Sequence, residues 1–83
     1  MISYLNGKVA SVNRLGAKGV SVVIDVNGIG YQIFVTNRVA VSTQVNADIK
    51  IHTSLIHRED SMTLFGFIEH SERDLFEILI GVS

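Results

Sequence analysis

The stretch from Val20 to Thr36 constrains this chain more than any other. Val20, Val22, Ile24 and Val26 alternate with Ser21, Val23 and Asp25, a period-2 pattern rich in β-branched side chains. Asn27-Gly28 follows, a pair that tolerates positive φ at both positions and closes tight hairpins. Gly30 to Thr36 resumes the alternation, with Tyr31, Ile33 and Val35 on one face. The pattern predicts a β-hairpin.

The neighbouring segments extend the same reading. Ile2 to Asn13 reads as a strand with Gly7 inside it, and a glycine there marks a bulge or a sharp bend. Gly16 and Gly19 punctuate the turn that follows. Asn37 to Gln44 breaks the alternation and suits a short helical turn. Ile49 to Arg58 restores it, with Ile49, Ile51, Thr53 and Leu55 opposite Lys50, His52, Ser54 and Ile56. Glu59-Asp60-Ser61 reads as a turn, and Met62 to Phe67 as a short fifth strand containing Gly66.

Beyond Phe67 the period changes to that of a helix. Ser71 is the expected N-cap, with Asp74 as its capping-box partner. Glu72 and Asp74 put negative charge in the first turn, where the helix dipole favours it. Leu75, Phe76, Leu79 and Ile80 form an apolar stripe, and Gly81 ends the helix. Five strands without helical crossovers predict a mainly β fold: a five-stranded antiparallel OB-fold barrel with one C-terminal α-helix.

Composition narrows the function. The 83 residues allow one small domain, and no cysteine is present for a disulfide or a thiolate metal site. No apolar run approaches the ~20 residues of a membrane span, and the first residues lack the pattern of a secretory signal. The formal net charge of -1 argues against autonomous DNA binding, because non-specific affinity comes from lysine and arginine neutralising phosphates.

Several constellations invite chemistry and do not carry it. Asn27-Gly28-Ile29-Gly30 is glycine-rich, but a phosphate-cradling loop runs from a strand into a helix, and this one joins two strands. His52, His57, Glu59 and Asp60 are suitable metal-ligand types, yet the two histidines are five apart and point to opposite faces of a strand. No catalytic residue, cofactor or metal is expected. Phe34, Phe65, Phe67, Tyr4 and Tyr31 could stack on bases as in a generic single-strand-binding OB-fold, although most suit barrel packing better. The Leu75-Phe76-Leu79-Ile80 stripe also suits a pure oligomerisation module. Taken alone, Glu59-Asp60 is a solvated turn.

Three segments resemble the RuvA family of bacterial Holliday junction branch-migration proteins. They are Asn27-Gly28-Ile29-Gly30-Tyr31, the run His57-Arg58-Glu59-Asp60-Ser61-Met62-Thr63-Leu64-Phe65-Gly66-Phe67, and Glu72-Arg73-Asp74-Leu75-Phe76 followed by Leu79. The opening Met1-Ile2, with Gly7 after it, is also similar. The resemblance implies an OB-fold barrel over residues 1–67. It implies that residues 68–83 are a flanking helix leading into a helix-hairpin-helix domain, so that this chain is an N-terminal piece. It implies a non-catalytic, cytoplasmic DNA-binding subunit acting in recombination, repair and the SOS response. Its partners would be four-way junction DNA, the RuvB motor ATPase reached through a further C-terminal domain, and other copies in a homotetramer, with room for the RuvC resolvase. Glu59 and Asp60 match the family's acidic pin. Arg58 matches a basic position beside it that contacts DNA near the crossover.

Overall fold

The computed structural model describes residues 2–16 and 19–81. Its elements follow the sequence periods closely: β1 (Tyr4–Asn13), β2 (Ser21–Val26), β3 (Ile29–Phe34), α1 (Asn37–Ser42), β4 (Asp48–Arg58), β5 (Ser61–Phe67) and α2 (His70–Leu79). The strands close into a barrel in the order β1-β2-β3-β5-β4. A helix between the third and fourth strands of a five-stranded closed barrel is the OB-fold arrangement.

Neighbouring strands are antiparallel except at one seam. There β3 and β5 run parallel, in register at Ile33↔Leu64 and Phe34↔Phe65. The parallel seam matters for the site. Because both strands start at the same end, the turns preceding them, Asn27-Gly28 and Glu59-Asp60, emerge from the same end of the barrel.

The barrel interior is filled by Leu5, Val9, Val22, Ile24, Ile33, Ile51 and Leu64, the inward members of each alternation. Each such side chain contributes roughly 1.5–3 kcal/mol through burial. The fit is tight at Gly66. A Cβ there would lie 2.5 Å from Ile33 Cγ2 and 2.6 Å from Ile51 Cδ1, so the wall of β5 tolerates only glycine at this point. The bend expected near Gly7 is present as a register shift between Val9 and Ser11, while Gly7 itself packs against the Asp25 carbonyl. Ser21, assigned outward by its alternation, is buried, and Gln32 Nε2 donates to its Oγ at 3.2 Å.

Helix α2 departs from two expectations. Its N-cap is Glu69, not Ser71, and the Glu69 N–H donates to Glu72 Oε1 at 3.4 Å. Asp74 does not complete a capping box; it contacts His70 Nδ1 at 3.1 Å and Arg73 Nε at 2.8 Å. Arg73 and Phe76 face the barrel. The expected apolar stripe is not the docked face either, since Leu75, Leu79 and Ile80 remain 57%, 74% and 45% exposed. Only Phe76 of that set packs inward, with ring centroids 5.3 Å from Phe65 and 5.1 Å from Phe67.

The rest of the dock is polar. Arg73 Nη1 donates to the Ser3 carbonyl at 2.8 Å and to the Thr53 carbonyl at 3.4 Å. The buried Ser54 hydroxyl donates to Glu77 Oε2 at 2.8 Å. The barrel surface here presents groups that lose water when covered, so polar partners on the helix win over leucines. At the far end, Gly81 adopts φ 79° and its N–H donates to the Ile78 carbonyl, the left-handed stop the sequence suggested.

Candidate functional site

The β4–β5 hairpin positions Arg58, Glu59 and Asp60. It pairs continuously from His52↔Phe67 to Arg58↔Ser61. Glu59 and Asp60 are then the only residues left to make the turn. Continuous pairing makes the arm a stiff mount, and the two-residue turn leaves no slack at its tip.

All residues from His57 to Met62 are exposed. Among the described residues, no ion pair or side-chain hydrogen bond involves Arg58, Glu59 or Asp60. Several other charged groups are engaged. Lys8 meets Asp48 at 3.2 Å, Arg73 meets Asp74, and Asp25 accepts from the Gly28 N–H at 2.8 Å. Among the described residues, the charges of the tip are thus left exposed and without an ion-pair partner.

The alternative site residues are placed differently. His57 lies exposed on the hairpin arm opposite Met62. His52 packs edge-on against His70, at 5.6 Å between ring centroids. No group of three metal-ligand side chains converges among the described residues. Phe34, Phe65, Phe67 and Phe76 form one packed series linking the barrel to α2, at centroid distances of 5.1–6.2 Å. They line a shallow groove of about 310 Å³ with Gly19, Val20, Val35, Thr36 and Gly66, and none of these described lining residues is basic. Tyr4 lies apart from this groove and stays 55% exposed, with Lys50 Nζ 4.7 Å from its ring centroid. An aromatic stacking platform with a basic groove is thus not assembled on this face.

Sequence reasoning did not find the polar dock of α2. The signal was present in the spacing of Arg73, Phe76 and Glu77, a helical face with charge inside it. Apolar periodicity alone favours the leucines and passes over such a face.

Fold and tip together define a small OB-type barrel that presents an exposed, charged hairpin tip. The chain belongs to the RuvA family: the family model for the RuvA N terminal domain matches residues 1–66. The protein named Holliday junction branch migration complex subunit RuvA from Pseudarthrobacter chlorophenolicus is 47% identical over all 83 residues, which cover 37% of its length. The proteins of the same name from Lactococcus lactis subsp. cremoris and Beutenbergia cavernae are 42% and 43% identical over the whole chain, with 40% and 39% of their lengths covered. The chain thus spans well under half the length of these curated relatives. No helix among the described residues is long and apolar enough to cross a membrane.

Proposed function

We propose that this chain is the barrel portion of a DNA-binding subunit of a Holliday junction branch-migration complex, and that Glu59-Asp60 is an acidic pin at the junction centre. The observation that carries the reading is the tip itself: two exposed carboxylates, without partners among the described residues, on a fully paired arm. The names of the relatives supply the junction.

The mechanism is electrostatic and steric. A carboxylate beside a phosphate is opposed by about 1 kcal/mol at ~4 Å in bulk water, and by about 4 kcal/mol where the effective dielectric falls to ~20. Screening limits this to phosphates within ~8 Å at physiological salt. The pin therefore disfavours continuous duplex at the crossover, tolerates an open junction, and helps part strands as the arms are drawn outward. Arg58, beside it on the arm, contacts a phosphate near the crossover.

The net charge of -1 fits this division of labour. Residues 1–67 shape the junction centre, and residues 68–83 lead into a helix-hairpin-helix domain that grips phosphate. The subunit itself is non-catalytic. It works as a cytoplasmic homotetramer with the RuvB motor ATPase, and the RuvC resolvase acts on the same junction.

The test uses the full-length protein. Glu59→Gln with Asp60→Asn should relax the preference for four-way junctions over plain duplex in a competition gel shift, with junction affinity retained. Loss of junction affinity would sink the repulsion mechanism.

A further inference from the structure

Asparagine followed by glycine is a self-reactive pair, because glycine has no side chain to shield its backbone nitrogen. That nitrogen can attack the asparagine side-chain carbon Cγ. The chain contains two such pairs, Asn6-Gly7 and Asn27-Gly28. Asn6-Gly7 lies within β1, where its residues pair with Lys50 and Ile49 of β4. The ladder holds that backbone in place. Asn27-Gly28 is the exposed turn between β2 and β3, with φ 53° at Asn27 and 88° at Gly28, and it has no cross-strand partner of its own.

One contact restrains the turn. The Gly28 N–H donates to Asp25 Oδ1 at 2.8 Å. We infer that Asn27 is the spontaneous deamidation site of this protein and that Asp25 is the guard that slows it. The attack requires the Gly28 nitrogen to lose its proton and turn its lone pair onto Asn27 Cγ. A carboxylate bound to that N–H opposes both: its negative charge disfavours deprotonation, and the hydrogen bond aims the nitrogen at Asp25.

The chemistry balances with water alone. The Gly28 nitrogen bonds to Asn27 Cγ as the Cγ–Nδ2 bond breaks, and ammonia leaves carrying the Gly28 proton. The product is a five-membered succinimide. Water opens the ring at one of its two carbonyls. Opening at Cγ leaves an ordinary aspartate at position 27, and opening at the backbone carbonyl leaves an isoaspartyl linkage. Either product adds a carboxylate at the end of the barrel that carries Glu59-Asp60, since β3 and β5 run parallel and both turns precede them. The isoaspartyl form also lengthens the turn backbone by one carbon, which strains the Val26↔Ile29 pair that closes the hairpin. None of this depends on the role proposed for Glu59-Asp60.

The test compares the wild-type chain with Asp25→Ala and Asp25→Asn at neutral pH and physiological temperature. Peptide mapping by mass spectrometry reads amide loss at each asparagine, and circular dichroism checks that each variant is folded. A charge-assisted hydrogen bond predicts that D25A deamidates at position 27 on the order of tenfold faster. D25N, which keeps an acceptor without the charge, should fall between, and Asn6 should stay an amide in the folded chains. In strong urea the three chains should converge, because the guard exists only in the folded hairpin. An unchanged or slower rate in folded D25A overturns the inference, the slower rate making Asp25 a base instead of a guard. A D25A excess that persists in urea overturns it as well, by tracing the effect to local sequence.

Discussion

Two hairpins leave the same end of this barrel with opposite electrostatic outcomes. The β2–β3 hairpin satisfies its own charge, because Asp25 Oδ1 accepts from the Gly28 N–H across the turn. The β4–β5 hairpin leaves Glu59 and Asp60 exposed and without partners among the described residues. Both tips are two-residue turns on antiparallel arms. What differs is the direction of the carboxylate. Turned inward it organises a backbone, and turned outward it acts on whatever approaches. An acidic turn is thus not one kind of feature, and sequence composition alone does not separate the two.

The largest perturbation of this comparison attacks the barrel interior beside the β5 strand that carries one of the hairpins. Gly66→Ala drives a methyl into Ile33 and Ile51 and should cost about 3 kcal/mol, at the upper end of core overpacking. Urea denaturation measures it, and a loss under ~1 kcal/mol would show that the wall of β5 yields more easily than its geometry implies. Arg73→Ala comes next. It removes the hydrogen bonds to the Ser3 and Thr53 carbonyls from a side chain only 12% exposed. The expected cost is about 2 kcal/mol, with amide exchange rising first in α2.

The guarded tip follows. Asp25→Ala should destabilise by about 1 kcal/mol, because the turn loses its internal acceptor while the freed Gly28 N–H can turn to water. The free tip is the smallest effect on stability: Glu59→Gln with Asp60→Asn should change it by less than ~0.5 kcal/mol. Its proposed effect is on DNA. If neutralising the free tip destabilised the fold as much as removing Asp25, the contrast between the two hairpins would fail. Replacing Arg58 in the full-length protein should lower the salt dependence of junction binding by about one counterion. An unchanged slope removes Arg58 from the phosphate contacts.

Strand positions were legible because alternation is local, and a strand with one buried face cannot hide its period. Val22, Ile24, Ile33 and Ile51 could be assigned inward before any coordinate was known, and all are buried. Helix α2 was legible as a helix but not in its orientation. Leu75 and Leu79 advertised an apolar face, whereas Arg73, Phe76 and Glu77 make the dock. That choice depends on carbonyl groups of Ser3 and Thr53, which lie far away in sequence. Glu59 and Asp60 could be located on a turn, but their lack of partners among the described residues depends on where the other charged side chains lie.

By itself, then, the amino-acid sequence determined the strands, both tight turns and the barrel class, since each follows from the period of neighbouring side chains and the backbone freedom of residues such as Gly28. It also carried the family resemblance that singled out Arg58, Glu59 and Asp60. The parallel β3–β5 seam, the shared end of the two hairpins and the polar dock of α2 came only from tertiary structure. These features depend on which distant groups meet once the barrel closes. Hydrogen bonds and charges act across a few ångströms of space, and separation along the chain does not reveal which of them will be satisfied.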